Sequence, residues 1–208
     1  MRPRLQRLLL HPAAKPVLFL ACLGPLAWLV FAVFADALGA NPAEALVRST
    51  GDWTLRFLCL VLLVTPLRVM AGLPALARFR RMVGLYVYLY AVLHVLSYSW
   101  FDMGFDLADI VKDIIKRPFI LVGTAAVLLL TPLALTSFNR AIRALGARRW
   151  QALHRSVYGI AALGILHFFW MRSGKNNQAE VAVYAAIVAL LLGWRAAHAW
   201  RARRARSA

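Results

Sequence analysis

The chain alternates between long apolar runs and short polar segments. Six of the runs are long enough, at about 20 residues each, to cross the hydrocarbon core of a bilayer as a helix. They lie at about residues 17–35, 53–70, 82–101, 119–136, 150–171 and 179–200. The pattern predicts an all-α polytopic membrane bundle of six transmembrane helices, in a single domain over residues 1–208.

The polar segments between the runs have different characters. Residues 36–52 are predicted to be a polar loop, and residues 71–81 and 139–149 are predicted to be basic loops. Residues 102–118 mix apolar and charged positions in the way that is typical of a short helix on the membrane surface. Residues 172–180 are predicted to form a polar turn.

Composition and charge agree with a membrane protein and predict its orientation. The chain is 62% hydrophobic and only 16% charged, which excludes an ordinary soluble domain. Its net charge of +17 comes mostly from segments on the same side of the membrane as both termini, whereas all eight acidic residues fall on the other side. The positive-inside rule therefore predicts cytoplasmic termini. The basic residues would then face membrane lipid, and no nucleic acid partner is expected.

Two histidines lie deep inside apolar runs, His94 in the third and His167 in the fifth. An ionisable side chain at such depth is costly and usually faces the bundle interior, where it meets a partner or cofactor. Both runs cross in the same direction and carry their histidine in the outer half, so the two rings can meet at one depth. We predict that they ligate one haem iron from both sides. The alternative is a pair of polar residues hydrogen-bonded in a helix interface.

A third histidine, His154, lies near the inner end of the fifth run. On one continuous helix, the 13 residues between it and His167 correspond to about 20 Å of rise and about 140° of rotation. Gly159 and Gly164 lie between the two and could absorb that difference. His154 is a further candidate metal ligand or a residue beside an inner redox site; the alternative is an interfacial histidine.

Arginine pairs precede both histidine-bearing runs at the inner side, namely Arg80 with Arg81 and Arg148 with Arg149. With His154 they could form a donor site for a flavin or a quinol, because guanidinium groups pair well with phosphate or propionate. The alternative is that they only set topology and contact lipid.

A short sequence recurs before each of these arginine pairs. Thr-Pro-Leu occurs at residues 65–67 and again at residues 131–133, each time at the end of an apolar run. Runs two and three therefore resemble runs four and five, as in a weakly duplicated hairpin. Chance recurrence in leucine-rich helices is the alternative.

The stretches RRMVGLYVYLYAVLH (residues 80–94) and RRWQALHRSVYGIAALGILH (residues 148–167) carry a resemblance to a known family. Over about residues 15–200 the chain resembles the ferric-reductase-like transmembrane superfamily, and within it the MsrQ (YedZ) family of haem-binding membrane subunits. The resemblance implies that His94, His154 and His167 are haem histidines. It also implies a b-type haem and an FMN, in the bacterial inner membrane.

The same resemblance implies a role and partners. Electrons would come from the quinone pool or a cytoplasmic flavin donor and pass to MsrP, the periplasmic molybdenum-containing methionine-sulfoxide reductase subunit. The chain would then be the electron-transfer subunit, with no catalytic residue of its own. The oxidases of the superfamily have two histidines on each of these two spans, whereas the third run here has one, which leaves a second bis-histidine haem open. A stand-alone ferric or quinone reductase, or a non-redox transporter or assembly factor, are the alternatives.

Overall fold

The computed structural model describes residues 2–173 and 178–207, and this part of the chain folds into nine α-helices and one 3₁₀ turn without a strand. The helices are α1 (Arg2–Leu10), α2 (Ala14–Phe34), α3 (Pro42–Ala71), α4 (Arg80–Phe101), α5 (Leu107–Lys116), α6 (Pro118–Leu135), α7 (Asn139–His154), α8 (Val157–Ser173) and α9 (Ala179–Ser207), and the 3₁₀ turn is Pro74–Phe79. Six helical segments of the described chain are long and apolar enough to span a membrane. The predicted all-α, six-span class is confirmed.

The helices pack in two main pairs, α3 along α4 and α6 along α8. Helix α4 also contacts α6, and α9 packs against both α3 and α8. The two histidine-bearing helices, α4 and α8, therefore each have their own partner helix. We call the end of the bundle at which α5 lies the outer end, and the opposite end the inner end.

The predicted loop over residues 36–52 is wrong in its second half, because α3 begins at Pro42. The side chain of Asn41 accepts a hydrogen bond from the backbone N–H of Glu44 at 3.1 Å, and Pro42 occupies the first turn. Both are helix-start signals that polarity alone does not reveal. Helix α3 is consequently 30 residues long and extends well beyond its apolar run towards the outer end.

The fifth predicted span, at about residues 150–171, lies within the apolar helical segment Asn139–Ser173, but a short turn at Arg155 and Ser156 interrupts it. Helix α7 ends at His154 and α8 begins at Val157, so the chain turns between the two. Gly159 and Gly164 lie within α8 and do not produce this break. The predicted basic loop at 139–149 is helical on both sides of Gly146, whose φ of 73° and ψ of 154° break the helix at that residue.

Two other predicted segments had different outcomes. Residues 107–116 form the expected short surface helix α5, and Asp106 caps it by accepting from the backbone N–H groups of Ala108 and Asp109. In the predicted polar turn at 172–180, residues 174–177 lie outside the described residues.

Tyrosines on α4 attach this helix to α2. The hydroxyl of Tyr90, a fully buried residue, accepts from the N–H of Leu26 at 2.9 Å and donates to the carbonyl of Cys22 at 3.0 Å. These two backbone groups are four residues apart beside Pro25, inside a helix. One turn earlier, the Tyr86 hydroxyl donates to the Phe19 carbonyl at 2.8 Å. The hydroxyls thus satisfy backbone groups where no water is at hand.

A proline in α3 explains the position of a half-buried arginine in α9. Pro66 has no N–H, so the carbonyl of Leu62, four residues earlier, loses its helical partner. The Arg195 guanidinium donates to that carbonyl and, at 3.1 Å, to the carbonyl of Leu191 in its own helix. It also lies 5.8 Å from the ring centre of Tyr158. Arg195 therefore ties α9 to α3 towards the inner end.

We expect Tyr90→Phe to lower the stability of the protein in detergent by about 1 kcal/mol, the net value of a typical hydrogen bond. The substitution removes the hydroxyl that links α4 to α2 and keeps the ring in place. Thermal unfolding followed by circular dichroism would measure the loss. Tyr88→Phe, on the same helix at a half-buried position, is the matched control. Equal stability of the two variants would contradict the assignment.

Candidate functional site

The first half of the site is His94, held by a backbone group of the neighbouring helix α3. Its Nδ1 lies 2.9 Å from the carbonyl oxygen of Val47. Because a carbonyl oxygen can only accept, Nδ1 carries the hydrogen and Nε2 is left as the unprotonated nitrogen. Gly51 makes room for the ring, since a Cβ at this position would lie only 3.0 Å from Cε1 of His94.

The second half repeats this arrangement between α6 and α8. Nδ1 of His167 donates to the carbonyl oxygen of Phe119 at 2.7 Å. A Cβ at Gly123 would lie 2.8 Å from that same Nδ1, closer than real contacts allow. In both halves the glycine lies four residues after the accepting carbonyl, the position whose N–H that carbonyl faces in an α-helix. Without a side chain there, the carbonyl stays open to the imidazole.

The two rings face one another across the bundle. Their centres are 6.1 Å apart, and the ring planes make an angle of 76°. Two imidazoles on opposite sides of one metal ion have ring centres about 6 Å apart, given a metal–nitrogen bond of about 2 Å and about 1 Å more to each ring centre. Since each ring can rotate about its metal–nitrogen axis, the steep angle is compatible with that geometry.

The donor set therefore fits a haem iron. Both histidines carry the second hydrogen bond from Nδ1 that orients metal-bound imidazoles, and both leave Nε2 free to bind. The structure thus brings together the predicted pair at one depth. Tyr86 and Tyr90, on the same helix as His94, hydrogen-bond to α2.

His154 lies apart from this pair, on a cavity of about 300 Å³ towards the inner end. Its ring stacks on Trp150 at 3.9 Å between centres, and its Nδ1 is 3.0 Å from the Trp150 carbonyl. Its Nε2 is buried and has no hydrogen bond partner in the described chain. The carbonyl of Leu133 also lies near the ring, but in the neutral ring the hydrogen is on Nδ1, so Nε2 has none to donate to it. Nε2 is thus a nitrogen open to a ligand.

The structure separates the four predicted arginines into two groups. Arg80 and Arg81 line the inner cavity, and Arg81 donates to the side-chain oxygen of Asn139 at 2.8 Å. Arg148 and Arg149 are exposed and do not line it. Arg195, which the sequence reading did not select, lies near enough to Arg80 for the two positive charges to repel one another.

Sequence reasoning missed the groups that hold the two histidines. The carbonyls of Val47 and Phe119 carry no sequence signal, because every residue has a carbonyl. Gly51 and Gly123 do carry one, since a glycine inside a helix weakens it and often marks a close approach. Val47 was also hidden because its stretch was taken for a loop.

Comparisons with known proteins place this site in context. The family described as "Ferric reductase like transmembrane component" matches residues 50–165. This range includes His94 and His154 and ends two residues before His167. A protein of Polaromonas naphthalenivorans named "Protein-methionine-sulfoxide reductase heme-binding subunit MsrQ" is 72% identical over 96% of this chain and 91% of its own length. Proteins of the same name from Herminiimonas arsenicoxydans and Ralstonia nicotianae are 50% and 51% identical, over 91% and 92% of this chain and 87% and 88% of their own lengths. No solved structure matches.

We expect Gly123→Ala to displace the His167 ring, because the added methyl group has no space beside Nδ1. Metal-ligand geometry depends on such supporting contacts, and their loss lowers affinity by about 10-fold or more. Haem titration of the purified protein, followed at the Soret band, would measure this. Gly193→Ala, where a Cβ meets nothing within 4 Å, is the matched control. Unchanged haem affinity in Gly123→Ala would contradict the close contact.

Proposed function

The chain belongs to the ferric-reductase-like transmembrane family, and we propose that it is the haem-binding electron-transfer subunit of a methionine-sulfoxide reductase system, of the MsrQ type. The observation that carries the proposal is the facing pair His94 and His167. In each ring Nδ1 donates a hydrogen bond to a backbone carbonyl, and Nε2 is left available to bind iron. A haem b bound there would supply one-electron transfer without a proton or a substrate site.

The chain's own residues would hold and shield this group. His94 and His167 would each give one nitrogen, and the carbonyls of Val47 and Phe119 fix their orientation. A backbone hydrogen bond to Nδ1 strengthens the imidazole as a donor. In this proposal the two histidines are the metal-binding site for the haem iron. The reduction potential of the haem would be set by these ligands and by its burial.

Electrons would leave at the outer end. His94 lies seven residues before the end of α4, and His167 lies six before the end of α8, which is about 10 Å of helix in each case. A soluble acceptor at that surface could therefore approach the site closely. The acceptor we propose is the periplasmic molybdenum-containing subunit MsrP, and the charge distribution supports an inner-membrane orientation with both termini cytoplasmic.

Electrons would enter at the inner end, through the cavity beside His154. Arg80 and Arg81 bring two positive charges to this cavity, and the open Nε2 of His154 adds a polar contact. The chemistry suits an anionic flavin, and we propose FMN there, with its phosphate paired to the arginines. Quinol from the membrane pool would be the source of electrons.

We expect His94→Ala and His167→Ala each to abolish the low-spin haem spectrum, because either change leaves one side of the iron without its ligand. The double variant should be no worse than either single one, since the two residues act as a unit. Reduced-minus-oxidised spectra of the purified protein would measure this.

His198→Ala and His11→Ala are the controls, at exposed positions away from the pair. A wild-type protein that is colourless when produced with sufficient haem would overturn the proposed function. Retention of the low-spin spectrum in His94→Ala, with its loss in His154→Ala, would move the haem to the inner end.

We expect Arg80→Gln to weaken FMN binding by about 10-fold, the value of one hydrogen bond to a charged group. Riboflavin, which lacks the phosphate, should bind the variant and the wild type equally. Arg148→Gln is the matched control, because Arg148 does not line the cavity. Fluorescence titration of both flavins would measure the four affinities. Equal FMN affinity of Arg80→Gln and wild type would place FMN elsewhere.

A further inference from the structure

The outer end of the bundle contains a buried carboxylate that the proposed electron path does not use. Asp113 of α5 is only 9% exposed. Its Oδ2 accepts from the Tyr98 hydroxyl at 2.7 Å, and its Oδ1 pairs with Nε of Arg117 at 2.9 Å. A buried charge of this kind is stable only while its partners stay in place. Asp113 therefore fixes the relative positions of both.

The first partner connects Asp113 to His94. Tyr98 lies four residues after His94 on α4, so the two side chains are on the same face, with Tyr98 one turn nearer the outer end. The hydrogen bond from Tyr98 to Asp113 thus holds α4 at the turn next to the histidine. A rotation of α4, or a shift along its axis, would move the His94 ring relative to the Val47 carbonyl that accepts its hydrogen bond.

The second partner connects Asp113 to His167. Arg117 directly precedes α6, and its backbone N–H donates to the Asp113 carbonyl at 2.9 Å while its side chain forms the ion pair. Two residues later comes Phe119, whose carbonyl accepts from Nδ1 of His167. Asp113 therefore holds the start of α6 at the point where α6 orients the second histidine.

Apolar side chains of α5 are divided between the bundle and the surroundings. Ile110 and Ile114 are half-buried, whereas Leu107, Val111 and Ile115 are 76%, 55% and 75% exposed, as expected for a helix that lies in the membrane interface. Asp109, Lys112 and Lys116, which line the outer cavity of about 340 Å³ together with Asp113, are exposed as well. Among these charged groups, the buried one is Asp113.

We propose that Asp113 is a positioning residue for the haem: through Tyr98 and Arg117 it holds at once the helix that carries His94 and the helix that orients His167. The inference rests on the proposed function, since it concerns the haem that these two histidines would bind. It assigns a role in haem geometry to a residue that touches neither histidine.

The test uses the full-length, haem-loaded protein in detergent, with the variants Asp113→Ala and Tyr98→Phe. We expect both to release haem about 10-fold faster to an excess of apomyoglobin, at the lower end of the effects of supporting residues. We also expect a shifted low-spin ferric EPR signal, because that signal responds to the angle between the two imidazole planes. Asp113→Glu, which keeps the carboxylate, should restore part of the wild-type behaviour.

Asp109→Ala is the matched control, one turn earlier on α5 and exposed. Variants that melt at a lower temperature but keep the wild-type haem release rate and EPR signal would overturn the proposal, because Asp113 would then only hold the surface helix. Should Asp113→Ala not fold, Tyr98→Phe decides, since it retains the ion pair with Arg117. A wild-type protein without haem would instead overturn the proposed function, and this inference with it.

Discussion

The structure depends on the need to satisfy two imidazole N–H groups inside apolar spans. In a bilayer each unpaired polar group is costly, and the nearest acceptors are backbone carbonyls that already belong to helices. His94 and His167 each find such a carbonyl on a neighbouring helix, and a glycine opens it. This links α3 to α4 and α6 to α8, and it leaves Nε2 of each ring directed away from the acceptor of its Nδ1.

The two halves of the site repeat one solution at nearly equal spacing. The accepting carbonyl precedes its histidine by 47 residues in the first half and by 48 in the second. The Thr-Pro-Leu segments are less regular, since they lie 18 residues after Val47 and 12 after Phe119. The spacing between the accepting carbonyl and its histidine is therefore nearly equal in the two halves. The spacing differs at the inner end, where α7 adds a segment with a positive φ at Gly146. Duplication explains the site better than it explains the bundle as a whole.

The sequence predicted the number of spans and the pairing of the two deep histidines because both follow from hydrophobic length and depth, which are local properties. It failed where polarity and secondary structure diverge. Residues 42–52 are polar yet helical, since Asn41 and Pro42 start a helix before its apolar part. The break between His154 and Val157 was equally hidden, because no proline or left-handed glycine marks it. Arg195 could not be selected from sequence, since its role depends on a carbonyl that Pro66 frees in another helix.

The inner and outer ends of the bundle suit different kinds of ligand. His94 and His167 are each hydrogen-bonded to a backbone carbonyl of a neighbouring helix. Their rings are therefore held in place between helices and could bind one metal ion from opposite sides. His154 is hydrogen-bonded to the Trp150 carbonyl of its own helix, and the charged residues that line its cavity are Arg80 and Arg81, which do not ligate iron. Guanidinium groups bind an anion well, whereas a single histidine nitrogen does not hold a metal from two sides. This asymmetry is the reason for proposing a haem at the outer end and a ligand bound by charge, such as a flavin phosphate, at the inner end.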